Sequence, residues 1–314
     1  MLRRIALVVG LTFSLGAHAD EPRVLTSIKP LQLIAAAVLD GIATPNLLLP
    51  VGASPHSYAL KPSERRALDQ TQRVYWIGPE MELFLENLLS ARDNDIELMH
   101  AAGITLRPLT GTHDDHESEH ADHHQAKHDE HDQDEQGHHH VGTHDAHIWL
   151  SPANAQAIAR TMTADLATHF PQHSERLRAN LTHFERQLEA LDSQLQERFE
   201  PLSAKPYFVF HDGYGYFEDH YGLKPRGIFS LSHEVQPGAR HVAELRNSLQ
   251  KAGPSCVFSE PQFTPRLIES LTAGLPVRSA ELDPLGSDAS VDAQGYVEFM
   301  QTLGANLAGC LEAL

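Results

Sequence analysis

Histidine is where this sequence concentrates its chemistry. Of 22 histidines, eleven lie between Gly111 and Asp145: His113, His116, His120, His123, His124, His128, His131, His138, His139, His140 and His144. Beside them stand eleven acidic residues and a single lysine. Neutral imidazole is the commonest protein ligand for metal, so such a stretch must meet metal. It has no hydrophobic periodicity and almost no apolar side chains, too little to offset the entropy of ordering the backbone. Residues 111–145 are therefore expected to be a disordered surface insertion. Each of its ligands would have to be ordered on binding, which weakens the hold on any one ion. That makes the insertion an auxiliary metal-binding loop and directs attention to histidines on ordered elements.

The elements around it alternate strand and helix. VLTSI (24–28), NLLL (46–49) and VYWIG (74–78) are expected strands. Helices are expected from Pro30 through LQLIAAAVLDGI, from Pro62 to Gln70, and over MELFLENLLSA. After the insertion come HIWL (147–150) and a helix capped by Ser151-Pro152. Leu177, Leu181, Phe184, Leu188, Leu191, Leu195 and Phe199 then recur at three- and four-residue spacing. This periodicity predicts one helix over 172–200, about 43 Å long at 1.5 Å per residue, longer than one small domain. Strand–helix alternation resumes with YFVF (207–210), GIFS (227–230), a helix from Ala239 to Lys251 and SCVFS (255–259). A helix from Pro265 to Ala273, PVRSAEL (276–282) and a last helix from Tyr296 to Leu311 complete it. The fold class is α/β, two lobes with parallel-type sheets. The expected division is 20–170 for the first lobe, insertion included, 171–201 for the linking helix and 202–314 for the second lobe.

In open α/β sheets, ligands bind beyond the carboxyl ends of strands. NLLL is followed by the loop that carries His56, YFVF by His211-Asp212-Gly213, and the last strand by Asp283-Pro284. His147 stands where the insertion re-enters ordered structure. Each has a plainer reading: a loop histidine usually serves the surface, and Asp before Pro is a common turn former. His100, His169, His173, His183, His220, His233 and His241 fall on helices or surface loops; His220 and His233 are candidates to support a ligand from behind.

The bulk properties limit the function. Arg3-Arg4, an apolar run from Ile5 to Leu15 and Ala17-His18-Ala19 read as a cleavable secretory signal over residues 1–19, too short to span a membrane. Export to a bacterial periplasm follows. The net charge is −18, of which the insertion supplies −10, and no basic face suggests nucleic acid. Cys256 and Cys310, an even count in an exported chain, suggest one disulfide.

The ordered set GASPHSYALKPSE, GPEME, DAHIWLSP, YFVFHDGYGYFE, EVQPGARH, SEPQF and LDPLG resembles the metal-binding cluster of ABC-transporter solute-binding proteins, most closely its zinc-specific members. The resemblance covers nearly the whole mature chain. It implies two pseudo-symmetric lobes joined by one long rigid helix, with metal in the cleft between them. It implies a non-enzymatic, monomeric periplasmic carrier that captures Zn²⁺ and passes it to an inner-membrane ABC permease, with a zinc-donating accessory protein as a further partner. By position, His56, His147 and His211 match the family's ligating histidines. Manganese relatives place a carboxylate where His211 stands, and three nitrogens suit tetrahedral Zn²⁺ better than Mn²⁺. Some zinc members carry a glutamate where this chain has Pro55, so the fourth position falls to water or to Asp283, with Glu82 and Glu260 more remote. The alternatives are a manganese or iron carrier of the same family, a zinc hydrolase (although no HExxH motif occurs), and a zinc-buffering or adhesin-like protein without a transporter.

Overall fold

The structure, a computed structural model, describes residues 21–109, 143–230, 238–262 and 266–314. The signal-peptide reading, ten of the eleven insertion histidines and His233 lie outside those residues.

The first sheet contains Val24–Thr26 (β1), Asn46–Leu47 (β2), Arg73–Trp76 (β3) and Asp95–Glu97 (β4), in the order β2-β1-β3-β4. The second contains Tyr207–His211 (β5), Gly227–Ser230 (β6), Ser255–Ser259 (β7) and Val277–Glu281 (β8), in the order β6-β5-β7-β8. Every pairing is parallel, and the two orders are the same counted from each sheet's first strand. Parallel neighbours need crossover connections. In the first lobe these include Lys29–Val38 (α1), Pro62–Asp69 (α2) and Pro79–Leu89 (α3). In the second they include Gly215–His220 (α6), Ala239–Ala252 (α7) and Arg266–Thr272 (α8). Strands covered on both faces lose polar alternation, and β1 and β3 are buried at every residue while edge strand β4 is half-buried.

Pro152–His169 (α4) leads through a 3-10 turn at Pro171–His173 into Ser174–Phe199 (α5). This is the long helix expected from the leucine spacing, shortened to 26 residues, or about 39 Å, by tighter turns at its two prolines. Leu177, Phe184, Leu188, Leu191, Leu195 and Phe199 are all buried. α5 packs against α1, α4 and the final helix Gly295–Glu312 (α9). A Cβ on Gly304 of α9 would lie 2.6 Å from Leu195 Cδ2, so glycine is what lets these two helices approach. One continuous apolar core takes residues from both lobes, from Val24 and Tyr75 through Leu188 to Phe258 and Leu311. A smaller cluster, Phe208, Phe229, Leu245 and Val257 among others, lies on the far side of the second sheet.

Cys256 and Cys310 form a disulfide that ties β7 to α9. Two elements were not foreseen. β4 has one apolar residue in three, and α6 is too short to show a period. The strand expected at 46–49 spans only Asn46–Leu47, although Leu48 and Leu49 N–H still donate to the Thr26 and Ser27 carbonyls, and the strand expected at 276–282 starts after Pro276, which cannot donate to a ladder.

The far end of the expected insertion falls within the described residues, where Thr143, His144 and Asp145 are part of the fold. Leu109 N–H donates to the Thr143 carbonyl at 3.1 Å, Asp145 N–H donates to the Arg107 carbonyl at 2.8 Å, and Pro108 bridges His144 antiparallel. Backbone pairing with residues 107–109 supplies what side-chain burial cannot, and it draws His144 and Asp145 into the fold.

Candidate metal centre

Both sheets reverse their winding direction between their two central strands, β1 and β3 in one lobe and β5 and β7 in the other. The carboxyl ends there form a crevice in each lobe. His211 is the last residue of β5, and Glu260 directly follows β7. Adjacent strands therefore deliver Glu260 Oε1 to within 2.5 Å of His211 Nδ1. His56 comes from the loop after β2. His147 precedes the single 3-10 turn Ile148–Leu150, which leads to α4 and its Ser151 cap.

The three histidines converge. His147 Nε2 and His211 Nε2 are 3.3 Å apart. The His56 and His147 ring centroids are separated by 5.4 Å, those of His147 and His211 by 5.2 Å. Two nitrogens bound tetrahedrally to one zinc at about 2.0–2.1 Å stand about 3.3 Å from each other. Among the described residues no group of three or more His, Cys, Asp or Glu side chains is close enough as it stands to hold a metal ion.

The backs of two of the rings are held. His147 Nδ1 lies 2.7 Å from Asp145 Oδ1, which also accepts the His147 backbone N–H at 3.0 Å. A carboxylate behind Nδ1 keeps the proton there and leaves the Nε2 lone pair facing forward. Glu260 Oε1 stands in the same place behind His211 Nδ1, so the two Nε2 atoms face each other across 3.3 Å, a spacing that suits a shared cation. Burial, then the neighbouring imidazoles, push His56 and His211 well below the ordinary histidine value, so both are neutral donors at pH 7. Burial would raise Asp145, but His147 and Arg107 outweigh it and hold the carboxylate low. Burial raises Glu260 to about 8, against the pull of His147.

The enclosed space is ion-sized. His56, His147, His211, Trp149, Glu260 and Leu285 help to line a cavity of about 10 Å³, no more than the room one water needs. Gly213 sets its tolerance: a Cβ there would lie 2.0 Å from His211 Nε2.

Asp283 is not on this wall. Its Oδ1 accepts from Leu285 N at 3.0 Å and Gln262 Nε2 at 2.9 Å, and its Oδ2 accepts from Ser287 N at 2.6 Å. The turn-forming role available to Asp-Pro is the one it fills, and it borders a separate surface cavity. Glu82 is also elsewhere. It occupies the crevice of the first lobe, where Ser27 Oγ, Ile77 N and Gly78 N all donate to its carboxylate. His220 pairs with Asp192 at 2.7 Å, away from the cavity. Sequence reasoning ranked Glu260 as remote, and it missed Asp145 by assigning it to the insertion. The signal for Asp145 was its place two residues before His147 in DAHIW.

The sequence profile described as "Zinc-uptake complex component A periplasmic" matches residues 24–310. The high-affinity zinc uptake system protein ZnuA of Yersinia pestis is 41% identical over 310 residues, covering 98% of this chain and 95% of that protein. The protein of the same name from Haemophilus ducreyi is 36% identical, covering 94% of each. Among solved structures, a ZnuA crystal structure superposes with a TM-score of 0.75 at 24% identity, over 93% of this chain and 99% of that one. A ZnuA deletion mutant with zinc bound gives 0.71 at 26% identity, over 91% and 98%. With its profile matched almost end to end and relatives this similar over their whole length, the chain belongs to the ZnuA family of periplasmic zinc-uptake components.

Proposed function

We propose that this protein is a high-affinity periplasmic zinc carrier. It captures Zn²⁺ between its lobes and hands it to the membrane permease of an ABC transporter. The observation that carries the reading is the meeting of three imidazoles from both lobes, with two Nε2 atoms a tetrahedral edge apart, beside a cavity of ionic size. His56, His147 and His211 supply the nitrogens. Water takes the fourth position, because the Asp283 carboxylate is engaged in its own turn. Asp145 and Glu260 orient the rings. The signal sequence directs export, the first lobe runs to residue 170, the linking helix covers 171–201, and the second lobe begins at 202. The His-rich insertion acts as a weaker collector beside this site.

A hydrolase reading is less well supported by a cavity of about 10 Å³, far smaller than an ordinary substrate pocket. A manganese carrier would present oxygen donors, and here the converging groups are nitrogens. The test is calorimetric titration of the full mature chain and of a variant lacking residues 111–142, with Mn²⁺ as competitor. One tight zinc site should survive the deletion while the weaker sites vanish. Loss of the tight site on deletion, or displacement of zinc by equimolar Mn²⁺, would overturn the proposal.

A further inference from the structure

Arg107 lies outside the cavity, yet three carboxylates from both lobes converge on its guanidinium. Nε is 2.8 Å from Asp219 Oδ2, and Nη1 is 3.4 Å from Asp145 Oδ2 and 4.0 Å from Asp212 Oδ1. Asp145 belongs to the first lobe, like Arg107 itself; Asp212 and Asp219 belong to the second. The Arg107 side chain is 15% exposed, and those of Asp145 and Asp212 are 1% and 11% exposed. Two of the three contacts are therefore shielded from solvent. The Asp219 contact is exposed and contributes little.

The backbone joins in. Arg107 N–H donates to the Tyr216 hydroxyl at 2.9 Å, and that hydroxyl donates to the Asp145 carbonyl at 2.8 Å. Gly215 provides the seat: a Cβ there would lie 2.2 Å from Arg107 Cζ and 2.3 Å from Nη1. Any other residue at 215 would displace the guanidinium.

Asp145 is used on both edges. Its Oδ1 holds His147, and its Oδ2 faces Arg107. Asp212, the next residue after His211, faces the same guanidinium. We propose that Arg107 is a positioning residue for zinc, a strap that fixes the His147 ring of one lobe against the His211 ring of the other, with Gly215 as its built-in seat. The proposal rests on the reading of these histidines as ligands. Without the strap, three carboxylates repel across the cleft, and the two imidazoles must be brought together each time an ion binds. Residues that hold a ligand from behind typically change metal affinity about 10- to 100-fold.

The test is zinc release from the full mature chain, followed by rapid mixing with excess chelator at room temperature. Arg107→Gln should release zinc at least about tenfold faster. Gly215→Ala should do the same with every charge retained, and Arg107→Lys should fall between Arg107→Gln and the unaltered protein. A residue that merely stabilised the fold would lower the thermal midpoint and leave the release rate alone. Wild-type release rates in both Arg107→Gln and Gly215→Ala overturn the strap. His211→Ala is measured in parallel. If it loses tight binding while the two strap variants release normally, only the strap fails. If it binds as tightly as the unaltered protein, the ligand reading falls and takes the strap with it.

Discussion

Gly213→Ala is the smallest change that should disable the zinc site, and the geometry sets its size. The added Cβ would stand 2.0 Å from His211 Nε2, 2.6 Å from Cε1 and 2.9 Å from Cδ2. Ordinary contact for such atoms begins near 3.4 Å, so the ring or the loop must give way by about 1.4 Å. A ligand set works only when held within about 0.5 Å of its productive geometry. The ring has little freedom to comply, because Glu260 fixes it from behind at 2.5 Å and His211 is fully buried at the end of β5. The 3.3 Å spacing to His147 Nε2 is what would be lost. Gly213 does not have a positive φ, so alanine meets no backbone strain and the fold should persist. The expected loss of zinc affinity is on the order of 100-fold or more, comparable with or beyond the effect of removing an outer partner. Competition with a fluorescent chelator measures it, with circular dichroism and thermal unfolding to confirm that the protein is folded. Wild-type affinity in a folded Gly213→Ala variant would refute the placement of His211 in the site.

Three further outcomes follow from other parts of the molecule. Asp145→Asn keeps a hydrogen-bonding group behind His147 but removes its charge. Zinc affinity measured by calorimetry should fall about 10- to 100-fold, and an unchanged value would leave Asp145 without a role at the site. Glu218 is buried beside the Tyr207 hydroxyl, with Asp212, Asp219 and Arg107 nearby, and burial raises its carboxyl to about 8. The unfolded chain ionises near 4.5 while the fold keeps the proton, so stability is full below 4.5 and declines as pH rises to about 8. At 1.36 kcal/mol per unit the decline is at most about 5 kcal/mol. Glu82, raised to about 7 by burial, adds to it in the same direction. Glu218→Gln should flatten the slope of unfolding free energy between pH 5 and about 8, and an unaltered slope would remove Glu218 as its source. Reducing the Cys256–Cys310 bond, which closes a loop of 54 residues, should cost about 4 kcal/mol in the chain-entropy model, seen as a lower denaturant midpoint. The bond lies at the amino end of β7 and Glu260 follows its carboxyl end, so zinc affinity of the folded reduced protein should not change.

What could be read in advance depended on how local the signal was. His56 and His211 come after the apolar runs NLLL and YFVF, and the rule that ligands gather at carboxyl ends of parallel strands marks both as candidates, although β2 itself is short and not buried. The long α5 was equally plain, because seven apolar residues kept one face over its whole length. Glu260 also follows a strand, but its value comes from β7 lying beside β5, and strand order is a nonlocal fact. Arg107 and Asp145 flank a tract so polar that composition assigned one edge of it to disorder. Their importance comes from pairing with each other across that tract and from Gly215, more than a hundred residues from Arg107. Asp283 is the opposite case: its position after a strand suits a ligand, while both its oxygens accept hydrogen bonds in the turn that Asp-Pro forms.

The shared core bears on how such a carrier works. Trp149 donates from Nε1 to the Pro284 carbonyl at 2.8 Å, and the Tyr296 hydroxyl donates to the Trp149 carbonyl at 2.6 Å. The first lobe is thus bonded to the loop and helix of the second beside the metal cavity. α1, α5 and α9 pack mutually beneath it, with residues 30–38 of α1 buried throughout. Opening the lobes widely would expose that core at roughly 25 cal/mol per Å², a heavy cost for releasing one ion. A sugar or peptide has to be engulfed, but an ion needs only that one or two of its donors move by about an ångström. His56 is suited to that movement, since it rides on the loop after β2, where Val51 is 55% exposed, and not on the end of a central strand. His211 and His147, held from behind by Glu260 and Asp145, stay in place. Release by loosening one loop ligand from a rigid pair fits this fold better than closure and opening of two mobile halves.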